Sequence, residues 1–171
     1  MLLPADRVLA VTDLNQIIES VIPAWQRAEF LFMETAPQWA PAVQNELSRL
    51  IAHDAQLQIK EQAATASPIS SARCESISST RTLYQQVRQR RCDGIVLIVE
   101  DQMRDALLFL GRLTRLCKPA PPVLVVIPHQ ATMLMPLLLE SGAASVLQKP
   151  VSDLTITDWC WRATQSQRHR A

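Results

Sequence analysis

Continuous apolar runs alternate with amphipathic stretches along most of the chain. Short apolar runs bounded by charges or prolines predict buried strands at residues 28–35, 93–101, 122–128 and 144–150, and the run at 93–101 is the richest in β-branched residues. Such runs are typical of strands whose sheet is covered on both faces. Between them, apolar residues at steps of three and four predict helices at 39–52, 79–91, 103–117, 132–142 and 153–167.

The middle of the chain has a weaker pattern. Residues 55–63, AQLQIKEQA, alternate between apolar and polar side chains, which favours an edge or second strand. Residues 64–80 are rich in Ser, Ala and Thr and show no apolar period, so we expect a long loop there.

Five strands that alternate with five helices predict the α/β class. The expected architecture is a doubly wound, five-stranded parallel sheet in a flavodoxin-like, three-layer α/β/α arrangement. In such open sheets the functional crevice lies beyond the carboxyl ends of the strands, where the strand order reverses.

Length and composition narrow the class of protein further. The 171 residues fit one domain, and a hydrophobic content of 48% supports a globular core. A net charge of +1 favours neither nucleic acid nor a membrane surface as a partner. Since no apolar run is long enough to span a membrane and no leader pattern opens the chain, we expect a cytoplasmic protein with reduced thiols at its four cysteines.

Two segments resemble response-regulator receiver domains. LLLESGAASVLQKP, residues 137–150, looks like that family's fourth helix and fifth strand, which end in a Lys-Pro pair. FLFMETAP, residues 30–37, is similar to its first strand, where an acidic pair precedes a helix-opening proline. The resemblance implies a receiver-like domain at 28–167, an N-terminal extension at 1–27 and a basic C-terminal tail at 168–171.

The resemblance also implies a chemistry. Receiver domains pass a phosphoryl group from a histidine kinase to an aspartate on the third strand, with Mg²⁺ held by that aspartate and two acids after the first strand. A lysine supplies positive charge, and the proline after it is typically cis.

Most positions for this chemistry carry other residues here. Thr35 replaces the second acid, Ile98 (or Val99, one residue on) stands at the phosphoacceptor position, and Ile127 stands at the hydroxyl position. Only Glu34 and the Lys149–Pro150 pair remain. One acid and one lysine do not supply the oxygen ligands that Mg²⁺ requires, so we expect no metal and no cofactor.

The expected function is therefore that of a pseudo-receiver, a binding module for another signalling protein or a second copy, rather than an enzyme. Its expected surface comprises the fourth helix, fifth strand and fifth helix, with Met133, Met135, Trp159 and Trp161 as candidate contacts. A homodimer through this surface or through the extension fits the same pattern.

Three alternatives stay open at this point. Asp101 or Glu100 could accept phosphate in a divergent two-component receiver, or the vacated pocket near Glu34 and Lys149 could bind a small ligand. A third, purely structural interpretation is that Glu34 and Lys149 form a partly buried ion pair with no chemistry. The first sheet strand is placed at residues 28–34, with residues 7–12 as the competing choice.

Overall fold

The computed structural model of the chain describes residues 26–61 and 69–169. Strands and helices alternate through these ranges, with one 3₁₀ helix (His129–Leu134) before the fourth α-helix. The strands are β1 (Arg27–Met33), β2 (Ser71–Ile77), β3 (Gly94–Ile98), β4 (Val123–Ile127) and β5 (Ser145–Gln148). The α-helices are α1 (Trp39–Glu61), α2 (Thr80–Gln89), α3 (Met103–Leu116), α4 (Met135–Glu140) and α5 (Asp153–His169).

All five strands are parallel and lie in the order β2-β1-β3-β4-β5. This is the expected doubly wound α/β architecture, and it places the reversal of strand order between β1 and β3. Of the two choices for the first strand, the segment at 28–34 does enter the sheet, as Arg27–Met33. Residues 7–12 lie outside the described residues.

The core has two layers because neighbouring residues on a strand point to opposite faces of the sheet. On one face, Leu31 and Ile95 pack with α3 residues such as Phe109. On the other face, Phe30 and Val96 pack against α1 and α5.

Local sequence explains where several helices begin and end. The Ser79 hydroxyl accepts a hydrogen bond from the Thr82 backbone N–H and so caps α2. The Ser152 hydroxyl bonds the Thr155 backbone N–H in the same way before α5. Beyond α4, Gly142 has a φ of +118°, a conformation that favours glycine.

The predicted strand at residues 55–63 is wrong. Helix α1 continues through this segment to Glu61. Leu57 and Ile59, whose alternation suggested a strand, are 42% and 78% exposed. Ala, Gln, Leu, Lys and Glu are all good helix formers, so helix propensity outweighs a short alternation.

The predicted loop at residues 64–80 is also wrong in its second half. Ser71–Ile77 forms β2, an edge strand that pairs in the sheet with β1 alone. Its polar side chains are accommodated because six of its seven residues are only partly buried, and Glu75 makes ion pairs with Arg73 and Arg90. Because little of this strand is fully buried, its sequence contains few apolar residues that would indicate a strand.

Most of the predicted N-terminal extension and part of the predicted C-terminal tail lie outside the described residues. Residues 1–25 of the predicted extension and residues 170–171 of the predicted tail are not described, and α5 is followed to His169. Among the helices in the described ranges, none combines the length and apolar character needed to cross a membrane.

Candidate functional site

Glu34 lies directly after β1 and is only 5% exposed. Its carboxylate accepts hydrogen bonds from the backbone N–H groups of Trp39 (2.8 Å) and Ala40 (3.1 Å) and from the Ser76 hydroxyl (2.5 Å). The first N–H groups of a helix have no partner within the helix, and a carboxylate there also interacts favourably with the helix dipole. Glu34 thus caps α1 and joins it to β2.

The end of β3 carries apolar side chains. Ile98 is the last residue of the strand, and the Val99 backbone N–H continues the ladder by donating to the Val126 carbonyl at 2.9 Å. Val99 itself is 7% exposed. The acids Glu100 and Asp101 follow the strand and are exposed.

A cavity of about 410 Å³ lies at the carboxyl ends of β1 and β3, next to the beginnings of α2 and α3. We call it the switch-point cavity. It is lined by Met33, Glu34, Thr35, Ser78, Thr80, Leu97, Ile98, Val99, Glu100, Asp101, Gln102, Asp105, Ala106 and Phe109.

Lys149 follows β5 and lines a different surface. Its backbone N–H donates to the Ile127 carbonyl at 2.8 Å, and its peptide bond to Pro150 is cis, as the resemblance implies. The lysine belongs to a shallow groove, the Trp39 groove, which is lined by Trp39, Pro128, His129, Gln130, Lys149, Pro150 and Val151.

The structure therefore divides the predicted pocket in two. Glu34, Thr35 and Ile98 line the switch-point cavity, whereas Lys149 and Pro150 line the Trp39 groove. Ile127 lines neither of these two, because its side chain is fully buried in the core. Among the described residues no ion pair joins Glu34 to Lys149, so the ion-pair interpretation is wrong.

Polar side chains at the ends of β4 and β5 form a small network beside Lys149. The Gln148 amide contacts Nδ1 of His129, and the Thr132 hydroxyl lies 2.9 Å from Oε1 of Gln148. Thr132 also lies 2.6 Å from the His129 carbonyl oxygen. This network holds the chain after β4 against the end of β5.

The four candidate surface residues differ in accessibility. Met133 is 90% exposed, whereas Met135 is partly buried against the core layer that contains α3. Trp159 and Trp161 are partly buried against the opposite layer, and the Trp159 indole N–H donates to the Ser145 hydroxyl at 3.2 Å. Of the four, Met133 alone is a largely free apolar side chain.

The cysteines are free thiols in the structure. Burial raises the pKa of Cys74 and of Cys92 to about 12, and it raises the pKa of Cys160 as well. Thiolate is the reactive form of cysteine, so these three positions are poorly suited to nucleophilic or redox chemistry. Within the described ranges no three His, Cys, Asp or Glu side chains converge as metal ligands.

Sequence reasoning missed several residues of both sites. Trp39 and His129 lie beside Lys149, and Asp105 lines the switch-point cavity. His129 comes two residues after β4, so the rule that sites gather at the carboxyl ends of strands could have identified it. Ser78, another cavity residue, was hidden because β2 was interpreted as loop.

Several solved structures with a similar fold are receiver domains or response regulators. The signal receiver domain of a signal transduction histidine kinase from Syntrophus aciditrophicus has 17% sequence identity and a TM-score of 0.53, and the match covers 81% of this chain and 91% of that one. A response regulator from Thermotoga maritima has 12% identity and a TM-score of 0.57, with 81% and 98% covered.

A third match is the receiver domain of a sensor histidine kinase from Pseudomonas aeruginosa, solved with a magnesium ion coordinated in its active-site cleft. It has 14% identity and a TM-score of 0.54, with 81% of this chain and 98% of that chain covered. No protein-family model and no curated protein matches the sequence. At these identities the likeness confirms the receiver-like fold.

Proposed function

We propose that this receiver-fold chain is a pseudo-receiver, which serves signalling through protein–protein contacts and takes up no phosphate. The observation that carries the proposal is the pairing of an apolar end of β3 with a first-strand acid that already caps a helix. We further propose that the protein acts in the cytoplasm, because its described cysteines are free thiols and cytoplasmic cysteines are usually reduced.

The first argument concerns the acceptor. Phosphoryl transfer to a protein requires a nucleophilic oxygen in line with the donor. At the end of β3 this chain has Ile98 and then Val99, and neither side chain carries an oxygen. The strand thus positions hydrocarbon where receiver domains position an aspartate.

The second argument concerns the metal. Magnesium takes six oxygen ligands at near-octahedral geometry, and in proteins it usually keeps several waters and binds through one or two carboxylates. Both oxygens of Glu34 are engaged, with two backbone N–H groups and the Ser76 hydroxyl as donors. Recruiting this carboxylate to a metal would remove the N-terminal cap of α1.

The third argument concerns the lysine. In receiver domains the lysine neutralises charge on the transferring group, so it must face the acceptor. Here Lys149 lines the Trp39 groove, and the switch-point cavity has no lysine in its lining. The remaining charges are therefore separated rather than combined in one site.

The interaction surface is proposed on the elements that flank the edge strand β5. The 3₁₀ helix, α4 and the beginning of α5 carry exposed apolar side chains, which gain most when a partner covers them. These are Met133 (90% exposed), Leu137 (45%), Leu139 (48%) and Leu154 (61%).

The competing function is phosphorylation at Asp101 or Glu100. One observation favours it, because both acids line the same cavity as Glu34. Against it, both residues are exposed beyond the strand, and the described acids do not converge as a metal-binding group.

A pair of matched variants tests the interaction surface. Met133→Glu places a charge on the proposed surface, and Leu116→Glu does the same at another exposed apolar residue, at the end of α3 (67% exposed). Sedimentation velocity from micromolar to millimolar protein measures self-association of both variants and of the unmodified chain. We expect Met133→Glu to shift the association midpoint at least tenfold, and Leu116→Glu to leave it unchanged.

If the unmodified chain stays monomeric, the same three proteins serve as baits for partners from the cell that produces the chain. The proposal then expects a partner held by the unmodified chain and by Leu116→Glu, but not by Met133→Glu. Equal behaviour of the two variants in both experiments would reject this surface.

A further inference from the structure

We propose that the switch-point cavity binds a small organic cation, namely a protonated amine or guanidinium group on a short aliphatic stem. This inference does not depend on the proposed interaction surface, which involves other elements. If the chain takes up no phosphate, the cavity has no assigned ligand, and this inference assigns one.

The position of the cavity is the first support. It lies between the ends of β1 and β3, where the strand order reverses in the sequence β2-β1-β3-β4-β5. Open α/β sheets bind their ligands in this crevice, because the helices on the two sides diverge there. Its volume of about 410 Å³ falls in the range typical of small-molecule sites, about 300–1,000 Å³.

The charge of the lining determines the sign of the ligand's charge. Four carboxylates line the cavity, and its lining contains no lysine, arginine or histidine. Such a lining repels phosphates, nucleotides and carboxylates and attracts cations. The carboxylates are those of Glu34, Glu100, Asp101 and Asp105.

The distribution of these carboxylates gives the size of the cation. In the described part of the chain they do not form a group of three or more that could hold a metal ion. A guanidinium group carries five N–H donors in a plane, so it can bond separated carboxylates that a single ion cannot reach together. Glu34 adds charge, whereas Glu100, Asp101 and Asp105 are exposed and free to bond a ligand.

The remaining lining specifies the rest of the ligand. Apolar residues from β1, β3 and α3 form part of the wall, and they favour an aliphatic stem over a fully hydrated ion. Thr35, Ser78 and Thr80 add hydroxyl acceptors at the rim. A free amine or guanidine and an arginine side chain of a peptide share this chemistry.

The test is an NMR titration of the full ¹⁵N-labelled chain. The probes are n-butylguanidinium, its neutral analogue n-butylurea, magnesium chloride, and the capped tripeptide acetyl-Ala-Arg-Ala-amide. We expect saturable shifts of the Thr35, Val99 and Asp101 amides with n-butylguanidinium and none with n-butylurea. Affinity should fall as salt is raised, because the rim carboxylates are exposed to screening.

Variants then localise the site. Asp101→Asn and Glu100→Gln are each expected to weaken n-butylguanidinium binding about threefold, the effect of losing one exposed ion pair. Glu140→Gln, an exposed acid on α4 away from the cavity, is the matched control and should bind normally.

The outcomes separate cleanly. Binding of the tripeptide as tightly as n-butylguanidinium supports the site with an arginine side chain as its ligand, and binding of the free cation alone supports it with a small molecule. Equal shifts with n-butylurea, stronger shifts with Mg²⁺ than with n-butylguanidinium, or unchanged binding in both acid variants would overturn the proposal.

Discussion

Oε2 of Glu34 accepts a hydrogen bond from the backbone N–H of Trp39 at 2.8 Å. The acid that survives from the receiver pattern is therefore part of the scaffold, since it caps α1 and bonds β2 through Ser76. This relationship gives Glu34 a structural role in the receiver-like fold that does not depend on phosphoryl chemistry.

Replacing Glu34 should cost stability. Glu34→Ala leaves buried N–H groups and the Ser76 hydroxyl without their acceptor, so we expect a loss of about 2 kcal/mol in the free energy of unfolding. Glu34→Gln keeps one acceptor oxygen and should lose about half of that. Urea denaturation measures both, with Glu46→Gln on the outer part of α1 as the control; a Glu34→Ala protein as stable as the control would contradict the capping role.

Glu34 and Lys149 should be energetically independent. Because they line separate surfaces and form no ion pair, the effects of Glu34→Gln and Lys149→Met should add to within about 0.5 kcal/mol. A double-mutant cycle by urea denaturation measures this coupling. A coupling energy above about 1 kcal/mol would show that the two charges share one site, as in receiver domains.

Two glycines should respond in opposite directions to replacement by alanine. A Cβ on Gly94 would lie 2.9 Å from the Phe30 ring and 3.1 Å from Trp159, so overpacking should cost about 1–3 kcal/mol. A Cβ on Gly111, in α3, meets nothing within 4 Å, so Gly111→Ala should stabilise by about 0.5–1 kcal/mol. Thermal or urea unfolding of the two variants and the unmodified chain measures both effects. A Gly94→Ala protein as stable as the unmodified chain would refute the close packing of Trp159 under β3.

The partly buried thiols of Cys74 and Cys92 should make stability fall at alkaline pH. Burial raises the pKa of Cys74 and Cys92 from 9.0 to about 12 in the folded chain. Above about pH 9 the unfolded thiols ionise while the folded ones do not, so this contribution is present below pH 9 and lost as pH rises toward 12.

The slope should be at most about 1.4 kcal/mol per pH unit for each thiol. Comparing the unfolding free energy of the unmodified chain with that of Cys74→Ala/Cys92→Ala isolates this contribution from other titrating groups. If both proteins lose stability in parallel between pH 9 and pH 12, the two thiols do not have the stated pKa values.

The fold could be predicted from the sequence where burial is two-sided. β3 and β4 are covered by helices on both faces, so their sequences are nearly all apolar and unmistakable. β2 is an edge strand with ionic side chains, and its sequence resembles a loop. The prediction ended α1 too early for a related reason. The last turns of this helix are largely exposed, so their sequence lacks the apolar spacing of a core-facing helix.

The candidate site was predictable only in part. Rules on strand ends placed Glu34, Ile98 and Lys149 at the correct edge of the sheet. Which surface each side chain faces depends on the packing of the β–α connections, and local patterns of apolar and polar residues do not reveal that packing. The division into the switch-point cavity and the Trp39 groove therefore required the structure.

The most direct test of the central claim is exposure of the chain to Mg²⁺ with acetyl phosphate, and separately with beryllofluoride. Intact mass reports a phosphoryl adduct, and the amide chemical shifts of Lys149, Val99 and Asp101 report binding. The pseudo-receiver proposal predicts no adduct and no Mg²⁺-dependent beryllofluoride shifts. An adduct that Asp101→Asn abolishes would contradict it and establish an active receiver with its acceptor beyond β3.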